Sequence, residues 1–125
     1  MKNVSQKKKI LYVQTSGVDN PERAYAPFIL ATTAAMMNPD ATVYFVIKGV
    51  TLVKKGEAEK IKIGSFPSLK EVMDQAIKAG VKLAVCEQSC GLLGISRGAF
   101  TKEANVVGAA TLNDLALEAD AVLCF

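Results

Sequence analysis

The chain has 125 residues, of which half are hydrophobic and 22% are charged, with a formal net charge of +3. This composition suits one globular domain with an apolar core, and it excludes a largely disordered chain. Much of the positive charge comes from the lysines at positions 2, 7, 8 and 9. We interpret residues 1–8 as a solvated basic tail rather than a nucleic-acid-binding arm, because the cluster is short and has no aromatic partners. Residues 9–125 are then expected to form a single α/β domain.

Apolar runs with strand and helix patterns alternate along the chain. In chain order, the predicted elements are a strand at 9–14, a helix at 22–37, a strand at 41–47, a short helix near 50–53, a helix at 69–79, a strand at 81–85, a helix or tight turn at 90–95, a strand at 105–109, a helix at 112–119 and a strand at 121–125. Strands without polar alternation, separated by helices, indicate a parallel sheet covered on both faces. We therefore expect a three-layer α/β/α fold with a five-stranded, mainly parallel sheet.

Capping residues mark where three of the helices begin. Asn20 followed by Pro21 indicates an N-cap and a first helical position. Ser68 is placed to cap the next long helix, with Glu71 at the third helical position of a capping box. Thr111 is expected to cap the last helix. These residues set the predicted starts of the helices.

Membrane and export signals are not recognised in the chain. No apolar run reaches the roughly 20 residues that a membrane-spanning helix needs, and the first apolar run, at 10–14, is too short for the core of a signal peptide. A cytoplasmic location without membrane association is therefore expected. Three cysteines are also too few, and odd in number, for a structural disulfide framework in a reducing compartment.

The carboxyl ends of the strands are where chemistry is expected in such a sheet. We predict a strand-end pocket there, with the candidate binding residues Thr15, Ser16, Gly17 and Gly49. The turn "QTSG" after the first strand suits either an anion-binding loop at a helix N-terminus or an ordinary strand-to-helix turn. It has neither the P-loop sequence nor the G-x-G-x-x-G pattern.

Histidine is absent from the chain, which removes serine–histidine and cysteine–histidine nucleophile pairs and the commonest transition-metal ligand. A zinc site would need Cys86, Cys90 and Cys124 plus a carboxylate, and the second cysteine pair of the usual zinc sites is missing. We therefore expect no metal site. Cys124 lies in "AVLCF" and is expected to pack in the core.

Cys86 follows the third strand, where the next segment turns toward a helix, so its thiol is expected to be reactive. A helix N-terminus favours the thiolate form of a cysteine. Glu87 would oppose that effect, whereas Arg97 or Lys48 would support it. Cys90, four residues later, is either a candidate resolving thiol or a packed residue, and both interpretations stay open.

Three stretches together resemble the DsrE/DsrF/TusD-type family of small sulfur-relay proteins. They are "ILYVQTSGVDNPERA", "VYFVIKGVTLVKKG" and "GVKLAVCEQSCGLLGI", and the closing "VVGAATLNDLALEADAVLCF" also fits that family's last helix and strand. The resemblance covers nearly the whole chain. It implies a three-layer α/β/α fold and assembly as a homotrimer or homohexamer. It also implies that sulfane sulfur is carried as a persulfide on the cysteine after the third strand, which is Cys86 here.

The resemblance further implies a partner that accepts the sulfur, such as a TusA-like sulfur carrier or another thiol or persulfide protein. In the implied reaction, the Cys86 thiolate takes the outer sulfur of a donor persulfide or polysulfide, and a partner thiolate then removes it. Neither a metal nor an organic cofactor is needed. We therefore expect a sulfur carrier or sulfurtransferase. The alternatives are a dithiol redox protein that cycles Cys86 and Cys90, and a non-catalytic binding or assembly subunit.

Overall fold

The computed structural model describes residues 7–125, which form five strands and four α-helices. The strands are Lys9–Gln14 (β1), Asp40–Phe45 (β2), Lys82–Cys86 (β3), Ala104–Val107 (β4) and Ala121–Cys124 (β5). The α-helices are Pro21–Met36 (α1), Leu69–Lys78 (α2), Glu87–Leu93 (α3) and Ala109–Glu118 (α4). Short 3₁₀ helices occupy Ile47–Val53, Ala58–Lys60 and Arg97–Ala99. Between residues 7 and 125, none of the helices combines the length and apolar character needed to cross a membrane.

The predicted basic tail, residues 1–8, lies outside the described residues except for Lys7 and Lys8. The Lys7 ammonium lies 3.6 Å from a carboxylate oxygen of Asp40. The Lys8 carbonyl accepts a hydrogen bond of 2.8 Å from the Asp40 N–H. Both residues therefore contact the start of β2.

All five strands form one parallel sheet in the order β4-β3-β2-β1-β5. The chain moves across the sheet in one direction from β1 to β4 and then returns over it to place β5 beside β1. Because β-crossover-β connections are right-handed, this path puts α1 and α2 on one face and α4 on the other. Helix α1 contacts β1, β2 and α2, and α4 contacts β1. The predicted three-layer α/β/α fold with a five-stranded parallel sheet is confirmed.

The two faces of the sheet are buried to different extents. The face under α1 and α2 holds the main hydrophobic core, whose largest fully buried side chains include Phe28, Phe45, Leu52, Leu69 and Leu83. The face under α4 holds a smaller cluster of Leu11, Tyr44 and Ala84. Helix α4 has no buried residue of its own. Most of the apolar burial that stabilises the fold therefore lies between the sheet and α1 and α2.

Several predicted boundaries differ from the structure. The second strand ends at Phe45, because Ile47 adopts a positive φ of 54° and begins a 3₁₀ helix. A β-branched residue rarely adopts this backbone region, and here its N–H donates a hydrogen bond of 2.7 Å to the Ser89 hydroxyl. Helix α4 begins at Ala109, with Gly108 at the N-cap position.

Thr111 was expected at that N-cap position, and this prediction is wrong. Thr111 lies within the first turn of α4, and its N–H donates a hydrogen bond of 3.1 Å to the Gly108 carbonyl. At the start of α1, Asn20 does occupy the N-cap position before Pro21, but its side chain makes no capping hydrogen bond. Helix α3 begins at Glu87, directly after β3, and not at Cys90.

The prediction that Cys124 packs in the core is also wrong. Strand β5 is an edge strand that pairs with β1, and all four of its residues, Cys124 included, are exposed. Helix α4 buries none of its own side chains and so covers this side of the sheet incompletely. The apolar run "AVLCF" thus predicts a strand correctly, but apolar composition alone does not bury an edge strand.

The hydroxyl of Ser68 caps α2 as predicted, accepting a hydrogen bond of 3.2 Å from the Glu71 N–H. We expect Ser68→Ala to lower the free energy of unfolding by about 1 kcal/mol, because that N–H loses its partner. Chemical denaturation followed by circular dichroism measures the change. Ser65→Ala, in the exposed turn before the helix, is the matched control and should change the free energy little. Equal effects of the two substitutions would contradict the assignment of the cap.

Candidate active site

Cys86 stands where β3 ends and α3 begins. It is the last residue of the strand and the N-cap residue of the helix, and it is partly exposed and unbonded to another cysteine. Its thiol lies 3.7 Å from the side-chain oxygen of Gln88, to which it donates. The thiol is therefore at the carboxyl edge of the parallel sheet, the position that the sequence predicted for it.

Tyr44 is a site residue that the sequence analysis missed. Tyr44 pairs with Ala84 in the β2–β3 register, so Cys86, two residues further along β3, lies on the same face of the sheet. Tyr44 is fully buried, and its hydroxyl donates a hydrogen bond of 3.0 Å to the carbonyl of Gly108. Burial, together with negative charge at Cys86, raises the pKa of Tyr44 to about 12. The Tyr44 hydroxyl therefore keeps its proton at neutral pH.

The charged residues that the sequence analysis weighed for their effect on Cys86 form ion pairs. Arg97 forms a salt bridge with Glu87, the residue after Cys86. Lys48 lies 3.6 Å from a carboxylate oxygen of Asp19. The carboxylate that was expected to oppose a thiolate at Cys86 is therefore partly compensated by Arg97, while Lys48 contacts Asp19.

Cys90 lies in a different environment from Cys86. It is 3% exposed and packs in the main hydrophobic core, whereas Cys86 packs against the smaller cluster on the α4 face. Its thiol donates a hydrogen bond of 3.5 Å to the backbone carbonyl of Cys86. Burial raises the pKa of the Cys90 thiol, and negative charge at Cys86 raises it further. Of the two interpretations of Cys90, these contacts favour a packed residue.

The predicted strand-end pocket is largely occupied by contacts between loops. A Cβ atom at Gly17 would lie 2.1 Å from the Lys48 carbonyl oxygen, and one at Gly49 would lie 2.0 Å from the Gln14 carbonyl oxygen. The Thr15 hydroxyl donates a hydrogen bond of 2.8 Å to the Phe125 carbonyl. Gly17 and Gly49 therefore allow the loops after β1 and β2 to approach closely.

Ser16 contacts Gln14, the last residue of β1. The side-chain amide of Gln14 donates a hydrogen bond of 2.7 Å to the Ser16 carbonyl. The other polar atom of the same side chain, the oxygen Oε1, is buried and has no hydrogen-bond partner in the part of the chain that the structure describes. Of the four predicted binding residues, Ser16 and Gly49 thus contact Gln14, Gly17 contacts Lys48 and Thr15 contacts Phe125.

Cys124 lies away from the other two cysteines. Cys86 is on β3 and Cys124 is on β5, and β2 and β1 lie between them. Three strand spacings separate the two by about 14 Å. Among residues 7–125, no group of three or more histidine, cysteine, aspartate or glutamate side chains is arranged to hold a metal ion.

Comparisons with known proteins agree with this fold. A model of the DsrE/DsrF-like family matches residues 8–125. The chain is 33% identical over 103 residues to an uncharacterized protein of Methanocaldococcus jannaschii, a match that covers 82% of this chain and 38% of that relative. The chain thus spans well under half the length of that relative.

Two further relatives are matched over nearly their full length. The sulfur carrier protein DsrE2 of Allochromatium vinosum is 25% identical over 158 aligned positions, which cover 94% of this chain and 98% of that protein. The crystal structure of the ychN protein from E. coli superposes with a TM-score of 0.77 and 19% identity, covering 96% of this chain and 100% of that one. At that identity the structural likeness is one of fold.

The close approach at Gly49 makes a measurable prediction. We expect Gly49→Ala to lower the free energy of unfolding by about 1–3 kcal/mol, because the added methyl group forces the Gln14 backbone away. Gly91→Ala is the matched control, since nothing lies within 4 Å of its added Cβ and alanine is favoured over glycine in a helix by about 0.5–1 kcal/mol. Urea denaturation compares the two. A Gly49→Ala protein as stable as the parent would contradict the close contact.

Proposed function

Because the chain belongs to the DsrE/DsrF-like family, we propose that it is a sulfur carrier that accepts sulfane sulfur as a persulfide on Cys86 and passes it to a partner thiol. The observation that carries this proposal is the position of Cys86, partly exposed at the carboxyl edge of the sheet. Similarity to the sulfur carrier protein DsrE2 supports the relay role. The cytoplasmic location stays a prediction.

The proposed chemistry consists of two thiol exchanges. The Cys86 thiolate attacks the outer sulfur of a persulfide or polysulfide, and a new S–S bond forms. The donor's S–S bond breaks, and its electron pair leaves with the shortened donor. A partner thiolate then attacks the outer sulfur of the Cys86 persulfide, and Cys86 leaves as a thiolate. Sulfur changes carrier without net oxidation, so the reaction needs no metal or organic cofactor.

We propose that Cys90 takes no part in this transfer. To act as a resolving thiol it would have to attack the inner sulfur of the Cys86 persulfide, release sulfide and form a disulfide with Cys86. Its buried position and raised pKa disfavour the thiolate that this attack requires. A dithiol redox cycle is therefore the less supported alternative.

The acceptor is proposed to be a thiol protein, such as a TusA-like sulfur carrier. Cys86 is only partly exposed, and the partner thiolate must approach its outer sulfur from solvent. A persulfide extends the reactive atom by one S–S bond beyond the position of the Cys86 sulfur. Loading therefore makes the transferable sulfur more accessible than the unloaded thiol.

We further propose that the chain assembles as a homotrimer or homohexamer through the surface formed by α4 and β5, which we call the α4–β5 surface. This surface exposes large apolar side chains, namely Leu117 at 85%, Val122 at 43% and Leu123 at 43%. Helix α4 buries no residue, and β5 is an edge strand. Exposed apolar side chains beside an open strand edge are typical of surfaces that are covered in an assembly.

Intact mass after brief exposure of the reduced protein to polysulfide tests the carrier proposal. The wild type should gain one sulfur atom at Cys86, Cys86→Ser should gain none there, and Cys90→Ser should behave as the wild type. Cys124 is also exposed, so all proteins in the comparison carry Cys124→Ser to remove its thiol. The gained sulfur should be lost on treatment with a reductant.

Two outcomes would contradict this proposal. A loss of two hydrogens in the protein that retains both Cys86 and Cys90, with no gain of sulfur, would indicate the dithiol redox protein. Absence of any reaction at Cys86, in a protein that remains folded by circular dichroism, would indicate a non-catalytic binding or assembly subunit.

The assembly proposal is tested by Leu117→Glu. A charge at this position on the α4–β5 surface should dissociate the oligomer, because the carboxylate would lose its hydration in an apolar interface. Met36→Glu is the matched control, since Met36 is similarly exposed, at 80%, but ends α1 on the other face. Light scattering after size-exclusion chromatography gives the molar mass. A monomeric wild type, or an intact oligomer in Leu117→Glu, would refute this surface.

A further inference from the structure

The side chain of Tyr44 joins three neighbouring strands on the α4 face. Tyr44 is on β2, Ala84 lies opposite it on β3, and Cys86 is the next residue of β3 on the same face. Cys86 in turn pairs with Val107 of β4, and Gly108 follows directly. Since the Tyr44 hydroxyl reaches the Gly108 carbonyl, the ring crosses β3 between its starting point and β4. The small side chain of Ala84 leaves room for this crossing.

The crossing brings the Tyr44 hydroxyl near Cys86. Cys86 packs against the cluster that contains Tyr44 and Ala84, and negative charge at Cys86 raises the pKa of Tyr44, which requires the two groups to lie close together. A phenol has one hydrogen to donate and two lone pairs that accept. With Cys86 as a thiol, the hydroxyl donates to Gly108, and the thiol donates to the side-chain oxygen of Gln88. An anionic sulfur has no proton, so the hydroxyl must then become the donor to it.

Turning the hydroxyl toward the sulfur leaves no unpaired acceptor behind. The Gly108 carbonyl that Tyr44 releases also accepts the N–H of Thr111 at 3.1 Å, in the first turn of α4. It therefore keeps one hydrogen bond when Tyr44 leaves. A hydrogen bond to an anion is stronger than one between neutral groups, so the exchange is favourable when Cys86 is charged.

We infer that Tyr44 is the hydrogen-bond donor to the anionic Cys86 sulfur, as thiolate and as persulfide, and that it leaves Gly108 when it takes this role. The persulfide part of this inference rests on the proposed function, and the thiolate part does not. Tyr44 is suited to the role because its raised pKa, about 12, keeps its proton across the range in which thiols ionise.

Other titratable groups near Cys86 have to be held constant in a test. Glu87 is the next residue, negative charge at Cys86 acts on Cys90, and Arg97 forms a salt bridge with Glu87. Removing the Tyr44 hydroxyl leaves all of these groups in place. The substitution Tyr44→Phe therefore isolates the hydroxyl.

The test is the pH profile of Cys86 alkylation by iodoacetamide, in protein that also carries Cys90→Ser and Cys124→Ser. Thiolate, and not thiol, is the reactive form. Tyr44→Phe should move the profile to higher pH by about one unit, because the anion loses a charge-assisted hydrogen bond. Tyr12→Phe is the matched control: Tyr12 is 2% exposed and donates at 3.2 Å to the Leu30 carbonyl on the opposite face. Its profile should not move.

A second measurement uses the protein with all of its tyrosines. The chain contains three tyrosines, so labelling their phenolic carbons with ¹³C gives three resonances, which Tyr12→Phe, Tyr25→Phe and Tyr44→Phe assign. Loading with polysulfide should shift the Tyr44 resonance and leave those of Tyr12 and Tyr25 in place. The loading experiment is done on protein that keeps Tyr44, so its result does not depend on the stability of Tyr44→Phe.

The outcomes separate this inference from the proposed function. If Cys86 gains sulfur while the Tyr44 resonance and the Tyr44→Phe profile stay unchanged, the inference is wrong and the sulfur carrier proposal stands. If the Tyr44→Phe profile shifts but Cys86 gains no sulfur, the hydroxyl does bind the thiolate and the carrier proposal fails. Equal profiles for Tyr44→Phe and Tyr12→Phe would refute the role of Tyr44 with the thiolate.

Discussion

The parallel register of β2, β3 and β4 is the constraint on which the candidate site depends. In a parallel sheet, residues two apart on one strand share a face, and neighbouring strands end at the same edge. This register places Tyr44, Cys86 and Gly108 on adjacent strands at that edge. A shift of one residue between β2 and β3 would turn Cys86 away from the face that carries Tyr44. The site therefore depends on strand pairing between segments that are distant in sequence.

The two faces of the sheet give two nearby cysteines different environments. Cys86 ends a strand on the thinly covered α4 face, whereas Cys90 begins the second turn of α3 and packs in the main core. Burial disfavours the charged form of Cys90. The same asymmetry leaves Leu117 of α4 and Val122 of β5 exposed. The proposed reactive thiol and the proposed assembly surface thus share one feature, the incomplete cover on this face.

Family membership and the site geometry support different parts of the functional proposal. The match over residues 8–125 gives the family, and the similarity to a sulfur carrier supports the proposed class of chemistry. The geometry supports Cys86 as the proposed carrier, because Cys86 ends β3 directly before α3, whereas Cys124 ends the edge strand β5. Fold alone does not decide function, and the ychN likeness accordingly contributes only the architecture.

The sequence by itself determined the order of strands and helices, the parallel sheet, the cap at Ser68 and the position of Cys86, because all of these depend on local patterns. Only the tertiary structure decided the exposure of Cys124, since apolar composition does not reveal which strand lies at an edge. It also decided the burial of Cys90, which depends on how α3 packs on the main core. It also decided that Gly17 and Gly49 serve a close contact between loops. Tyr44 looked like an ordinary strand residue, because its hydroxyl reaches Gly108, and its side chain shares a face with Cys86, only after three strands pair.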